Sequence, residues 1–222
     1  MKVDIIEIDV ASSGHITNTY LAFDEKDGKK EGILIDPADD TKKILDEINS
    51  KNVKVRYIVV THAHGDHIGA LEEVRKNTNA KILIHRNDKE ALTNADENYS
   101  HELGVDLQNI KDEDIIEVED GYKFKVLSME FEVIHTPGHT AGCICIYESN
   151  SNILFTGDTI FCDCYGRCDL YSGSFSDMIN SLRKIFNRFD DVMIYPGHDK
   201  QVKLDSAKRR IRLLISLKGV TL

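Results

Sequence analysis

Val55-Arg56-Tyr57-Ile58-Val59-Val60-Thr61-His62-Ala63-His64-Gly65-Asp66-His67 is the stretch on which the fold turns. Its first six residues form a near-continuous apolar run, the pattern of a strand buried on both faces. Its last six read H-x-H-x-D-H and fall where that strand ends and a helical pattern, over about Asp66 to Lys76, begins. Alternate side chains of an extended loop project the same way, so His62 and His64 can meet one metal ion. Asp66 and His67, adjacent at the helix start, point elsewhere and can supply a neighbouring ion. Ala63 and Gly65 leave room for the backbone to fold around both.

Working outward toward the N-terminus, the segments at residues 3–8, 19–23 and 32–35 read as strands of an antiparallel meander, with a turn at Lys26-Asp27-Gly28. A helix follows, capped near Asp39 to Thr41, with Ile44, Leu45 and Ile48 on one face. Toward the C-terminus come a short strand at 81–84 and a polar stretch from about Asn94 to Asp114, read as a partly helical surface excursion that either covers the site or is a plain loop. Strands return at 115–118, 122–126, 131–134, 143–147 and 152–155. Helical spacing at Met178, Ile179, Leu182, Ile185, Phe186 and Phe189 predicts a helix over 176–189. A last strand at 192–195 and a basic amphipathic helix from Asp205 to about Lys218 close the chain. Two similar strand-then-helix halves imply an α/β architecture of two sheets packed face to face with helices outside.

Three further turns each follow a strand and each offer a ligand. His139 lies in H-T-P-G-H-T, Asp158 in F-T-G-D-T, and His198 in Y-P-G-H-D. Ligand sites of α/β proteins sit in such strand-end loops. His15, His85, His101 and His135 match no motif and read as structural or surface residues.

The composition narrows the function classes. With 41% hydrophobic and 30% charged residues the chain can bury a core, which excludes wholesale disorder. Lys plus Arg number 28 against 38 Asp plus Glu, so a net charge of -10 disfavours a phosphate-neutralising, nucleic-acid-binding surface. No apolar run reaches membrane-spanning length, and Asp4 and Glu7 interrupt the N-terminus where an export signal would be apolar. Five cysteines, an odd number, then point to reduced thiols, and the expectation is a cytoplasmic protein that binds no membrane. Cys143 and Cys145 alternate with Ile144 and Ile146 as core residues. Cys162, Cys164 and Cys168 fall within seven residues, in a spacing uncommon for zinc, and leave a thiol-based sensor or binding role as a non-enzymatic alternative.

Taken together, the H-x-H-x-D-H run, the later His139, Asp158 and the terminal P-G-H resemble, in kind and in order, the metallo-β-lactamase superfamily of hydrolases. The resemblance implies a single domain over residues 1–222 with an αββα four-layer sandwich of two mixed sheets. It also implies a two-metal assignment: His62, His64 and His139 on one ion, Asp66, His67 and His198 on the other, Asp158 bridging. Zinc is the first expectation, with iron or manganese as alternatives. A hydroxide between two such ions needs no Ser or Cys nucleophile, and Asp66 is placed to be ligand and proton acceptor at once.

The segment from Thr159 to Leu170, with G-R-C-D at 166–169, resembles that of short hydroxyacylglutathione hydrolase (glyoxalase II) relatives. This implies thioester hydrolysis of the S-lactoylglutathione type, with Arg167 and Tyr165 as substrate contacts and a small thioester or other anionic molecule as partner. Arg167 stands where the long form carries a lysine for the glutathione carboxylate; a guanidinium can grip a carboxylate too, or can pair with Asp169. Only 24 residues follow His198, too few for the helical domain that adds glutathione contacts in the long form. Lys208, Arg209, Arg210 and Arg212 read as a solvated basic face. The G-R-x-D pattern also resembles persulfide dioxygenases, which implies one iron on His62, His139 and Asp158. Lactonase activity is a weaker alternative, and the assembly is expected to be a monomer or homodimer.

Overall fold

The computed structural model describes residues 1–222. Twelve strands form two mixed six-stranded sheets. The first sheet runs β1 (Lys2–Val10), β2 (His15–Lys26), β3 (Lys29–Ile35), β4 (Lys54–Val59), β5 (Lys81–His85) and β6 (Ile115–Val118) in that spatial order. Its β1-β2-β3 portion is the expected antiparallel meander, and β3 to β6 are parallel. The second sheet is built from β7 (Lys123–Val126), β8 (Met129–His135), β9 (Ile144–Glu148), β10 (Ile153–Gly157), β11 (Met193–Pro196) and β12 (Val202–Lys203). It is antiparallel except where β10 meets β11.

Three apolar layers explain why the sheets stack. Between them lie Tyr20, Ile33, Ile35, Val59, Leu83, Phe131, Val133, Ile144, Ile146 and Phe155, all essentially buried. The opposite face of the first sheet packs on α1 (Thr41–Lys51) and α3 (Leu71–Thr78) through Ile44, Ile48, Leu71 and Val74. The opposite face of the second sheet packs on α6 (Phe175–Arg188) and α7 (Leu204–Ser216) through Met178, Leu182, Ile185, Ala207 and Ile211. The order is helix, sheet, sheet, helix, as expected. Truncating a central ring such as Phe155 to Ala removes contacts on both sheets and costs about 3–5 kcal/mol.

Two local differences from the sequence reading have plain causes. The helix expected over Asp66 to Lys76 is two pieces, α2 (Gly65–Ile68) and α3, because at Ala70 (φ -98°, ψ 3°) the chain leaves helical geometry and its N–H bonds the Pro37 carbonyl at 3.0 Å. The polar stretch holds two one-turn helices, α4 (Ala95–Asn98) and α5 (Ser100–Leu103), joined at Tyr99 in a left-handed conformation (φ 59°). Lys208 does not belong to a solvated face. It is 5% exposed, and its ammonium donates to the Phe186 carbonyl at 2.8 Å and to that of Phe189, capping the end of α6. No helix is long and apolar enough to cross a membrane.

Candidate metal centre

Every ligand foreseen from the sequence reaches one cleft at the strand ends, where the two sheets meet. β4 delivers His62 and His64, α2 delivers Asp66 and His67, β8 leads to His139, β10 to Asp158, and β11 to His198. The loops are tied across the sheets by backbone bonds, Ile144 N–H to the Thr61 carbonyl at 2.9 Å and Asn18 N–H to the Gly197 carbonyl at 2.8 Å.

Two donor sets result. In the inner one, His64 Nδ1 is 3.1 Å from His62 Nε2 and 2.9 Å from His139 Nε2. In the outer one, His67 Nε2 is 3.4 Å from Asp158 Oδ1 and 3.6 Å from Asp66 Oδ2, and His198 Nε2 is 3.3 Å from Asp66 Oδ2 and 3.4 Å from Asp158 Oδ2. Asp158 also reaches inward, with Oδ2 3.5 Å from His139 Nε2. Ligand nitrogens on one tetrahedral zinc ion stand about 3.3 Å apart. The donors therefore fit a metal pair, and the second observation agrees: His67 Nε2 and Asp158 Oδ1 are buried with no hydrogen-bond partner.

For four of the five imidazoles, all but His64, the far side says which nitrogen faces inward. His139 Nδ1 lies 2.7 Å from the Arg167 carbonyl and His198 Nδ1 2.7 Å from the Ile16 carbonyl. A carbonyl only accepts, so both Nδ1 atoms carry protons and both Nε2 atoms face the cleft. His67 Nδ1 donates likewise to Asp36 Oδ2 at 2.9 Å. His62 Nδ1 is 3.2 Å from Thr61 Oγ1, whose own hydroxyl donates to Asp36 Oδ2 at 2.6 Å. Asp36 thus orients imidazoles of both sets, and it also accepts from Thr61 N–H at 2.7 Å.

Electrostatics separate the sets. Burial drives the His62 imidazole far down its ordinary range and His64 to about 3. Burial also opposes charge on His67 and His198, yet the neighbouring carboxylates outweigh it, Asp66 above all for His67 and Asp158 for His198. They hold His67 well above its ordinary value and His198 at about 10. Conversely, burial would raise the Asp66 and Asp158 carboxyls, but His67 chiefly for Asp66 and His198 chiefly for Asp158 keep them well below the carboxylate range. Both are anions at neutral pH.

Small residues make the convergence sterically possible. A Cβ on Gly197 would stand 2.3 Å from Asp158 Oδ1 and 2.6 Å from His67 Cε1. Gly157 adopts φ +46° against Thr61, where a Cβ would lie 2.5 Å from Thr61 Oγ1.

The profile described as the metallo-beta-lactamase superfamily matches residues 13–198. The chain belongs to that superfamily. A hydroxyacylglutathione hydrolase of Pelagibacter ubique (strain HTCC1062) is 31% identical over 181 residues, 82% of this chain and 66% of that protein. Among solved structures, the BLEG-1 B3 metallo-beta-lactamase superposes with a TM-score of 0.84 at 26% identity, covering 95% of this chain and 99% of that one. The ETHE1 protein from Myxococcus xanthus gives a TM-score of 0.74 at 25% identity, covering 95% and 83%.

Within this superfamily fold the cleft measures about 490 Å³ and is walled by Tyr99, Leu103, Phe161 and Leu170, with Glu102 and Arg167 at its edge. A larger surface hollow near Ile5 and Lys43 contains none of the converging donors. Arg167 faces the cleft but is held bidentately by Asp169, at 2.8 Å from Nε and 2.7 Å from Nη2. Tyr165 is a correction. It packs beside Phe175 and Lys218, away from the cleft, and the phenol that walls the site is that of Tyr99, edge-on to His64 at 5.6 Å. The Cys162, Cys164 and Cys168 thiols do not converge, and burial pushes all three upward, the last two to about 11, so none is a ready thiolate.

Two functional neighbours escaped the sequence reading. Asp36, in the left-handed region at φ 49°, ends β3 before Pro37; an acidic residue at a strand end followed by proline was the available signal. His15, read as structural or surface, lines the cleft, with Nε2 3.0 Å from Asp66 Oδ2. His85 and His135 do lie outside, stacked on each other with ring centroids 3.8 Å apart.

Proposed function

We propose that this protein is a metal-dependent hydrolase with a binuclear site, zinc in the first instance, and that it cleaves thioesters of the S-lactoylglutathione type. The observation that carries the reading is the pair of donor sets sharing Asp158: three imidazole nitrogens on one side, and two imidazoles with Asp66 on the other. His62, His64 and His139 would hold one ion, Asp66, His67 and His198 the second, with Asp158 between. Two divalent ions so held supply an acidified water and polarise a carbonyl. The chain does the rest. Asp66, an anion facing the cleft, takes up the proton given by the attacking water. Asp36, Thr61 and the Arg167 and Ile16 carbonyls fix the imidazole tautomers, so no reorientation precedes the reaction. Leu103, Phe161, Leu170 and Tyr99 wall the cleft with apolar surface, which excludes water around the acyl group. A thiolate leaves at neutral pH with little protonation, so a thioester asks for no general acid from the wall. The Pelagibacter relative's name points the same way. Any carboxylate of the thiol carrier competes with Asp169 for Arg167.

A second reading, a persulfide dioxygenase with one iron on His62, His139 and Asp158, is favoured by the likeness to the Myxococcus ETHE1 structure. It leaves His64 Nδ1, which stands between His62 and His139, without a role. The deciding experiment purifies the protein without added metal, counts ions per chain, and assays thioesters of glutathione, coenzyme A and other small thiols beside sulfite production from a persulfide. Two ions, hydrolysis and no oxygen uptake are expected. One iron per chain with oxygen consumption overturns the hydrolase.

A further inference from the structure

We infer that His15 is a further side-chain donor to the outer metal ion, beside Asp66 and His198, an inference that rests on the binuclear reading above. His15 has no counterpart in the ligand motifs, and nothing in its sequence context marks it. The structure nevertheless places its Nε2 3.0 Å from Asp66 Oδ2 and within 4.8 Å of His198 Nε2, so that His15, Asp66 and His198 by themselves form a ligand-competent group. Two donors at right angles on one ion with bonds near 2.1 Å stand about 3.0 Å apart, the separation seen between His15 and Asp66. The His15 and His198 rings meet edge to face at 4.8 Å, so both can turn an in-plane lone pair toward a common point without colliding.

The backbone holds His15 there. It is the first residue of β2 and pairs with Val10 in the hairpin to β1. The connecting turn is fixed by Gly14 N–H on Asp9 Oδ1 at 2.7 Å and Ala11 N–H on Asp39 Oδ2 at 2.9 Å. The next residue, Ile16, supplies the carbonyl that orients His198, so one short segment positions a ligand from behind and presents a second from the front. His15 keeps 48% of its side chain exposed, whereas Asp66 keeps 8% and His67 none. It therefore stands on the solvent side of the outer donors.

The consequence would be an outer site to which His15 adds a donor beside Asp66 and His198, the three lying within 4.8 Å of one another. The test compares the full chain with His15→Ala and His15→Gln. Apoprotein is titrated with Zn²⁺ against a competing chelator, and Co²⁺-loaded samples are read by visible absorption, whose intensity rises as coordination number falls. The wild type is expected to bind two ions. Each variant should bind the inner ion unchanged and the outer one about 10–100-fold more weakly, with a stronger outer-site Co²⁺ band. Unchanged outer affinity together with an unchanged Co²⁺ spectrum overturns the role of His15 and leaves the binuclear reading intact. A wild type that binds only one ion overturns both. Because His15 is half exposed at a hairpin end, circular dichroism of the variants should match the wild type, which separates metal loss from unfolding.

Discussion

The inner and outer donor sets are neighbours built on opposite principles. The inner one gathers three imidazoles, and burial drives His62 far below its ordinary value and His64 to about 3. The outer one balances Asp66 and Asp158 against His67 and His198, and its rim, at His15 and His198, reaches solvent. A buried neutral pocket is rigid and waits for a cation. A charged, open pocket holds protons in the cation's place and exchanges them for it.

The two sets share Asp158, so the severest way to break the comparison is Asp158→Ala. Turnover measured on the best thioester should fall by on the order of 10³-fold or more, and metal analysis should show both ions weakened. Retained turnover would remove this carboxylate from the site. Gly197→Ala should separate the sets. Its Cβ would strike Asp158 Oδ1 and His67 Cε1, so the outer ion is lost first and activity falls about 100-fold, while one inner ion per chain persists in elemental analysis. Proton release sharpens the contrast without mutation. Carboxylates raise His67 and His198, so each carries a proton at neutral pH that must leave before its Nε2 can bind a metal. His62 and His64 are lowered and have none to give. Outer-site affinity should therefore rise with pH toward about 10, the value for His198, and filling that site should liberate protons, read as calorimetric heats that differ between two buffers. Binding that is independent of buffer and pH would contradict this charge balance. The smallest effect is expected from Cys164→Ser, which touches neither set: turnover unchanged and stability within about 0.5 kcal/mol, by thermal melting.

The same contrast explains what could be read from the sequence. Ligands carried by short motifs with glycine or proline beside them, H-x-H-x-D-H, T-G-D and P-G-H, announced themselves, because the chemistry needs those residues at those spacings and the tight approach needs the glycines. The layered fold was equally legible, since the apolar run at Val55 to Val60 and the helical spacing from Met178 to Phe186 each have a single good burial. His15 and Asp36 were not legible. The role of His15 comes from hairpin register, and that of Asp36 from a left-handed backbone 25 residues away from the Thr61 it serves, marked locally only by the proline that follows it. Tyr165 and Tyr99 show the reverse error: the resemblance implied Tyr165 at the cleft, but the tyrosine that lines it is Tyr99, from a one-turn excursion of the other half. Lys208 looked like one more solvated cation until the end of α6 offered it carbonyls.

The donors are divided between the halves of the chain. His62, His64, Asp66 and His67 belong to the first sheet's loops, while His139, Asp158 and His198 belong to the second's. A cation gripped by both acts as a rivet through the sandwich, and an unfolded chain offers it no such grip. By mass action, each tenfold excess of free cation over its dissociation constant then adds about 1.4 kcal/mol to the resistance of the entire sandwich against unfolding. The architecture's endurance is thereby tied to how much metal its surroundings provide.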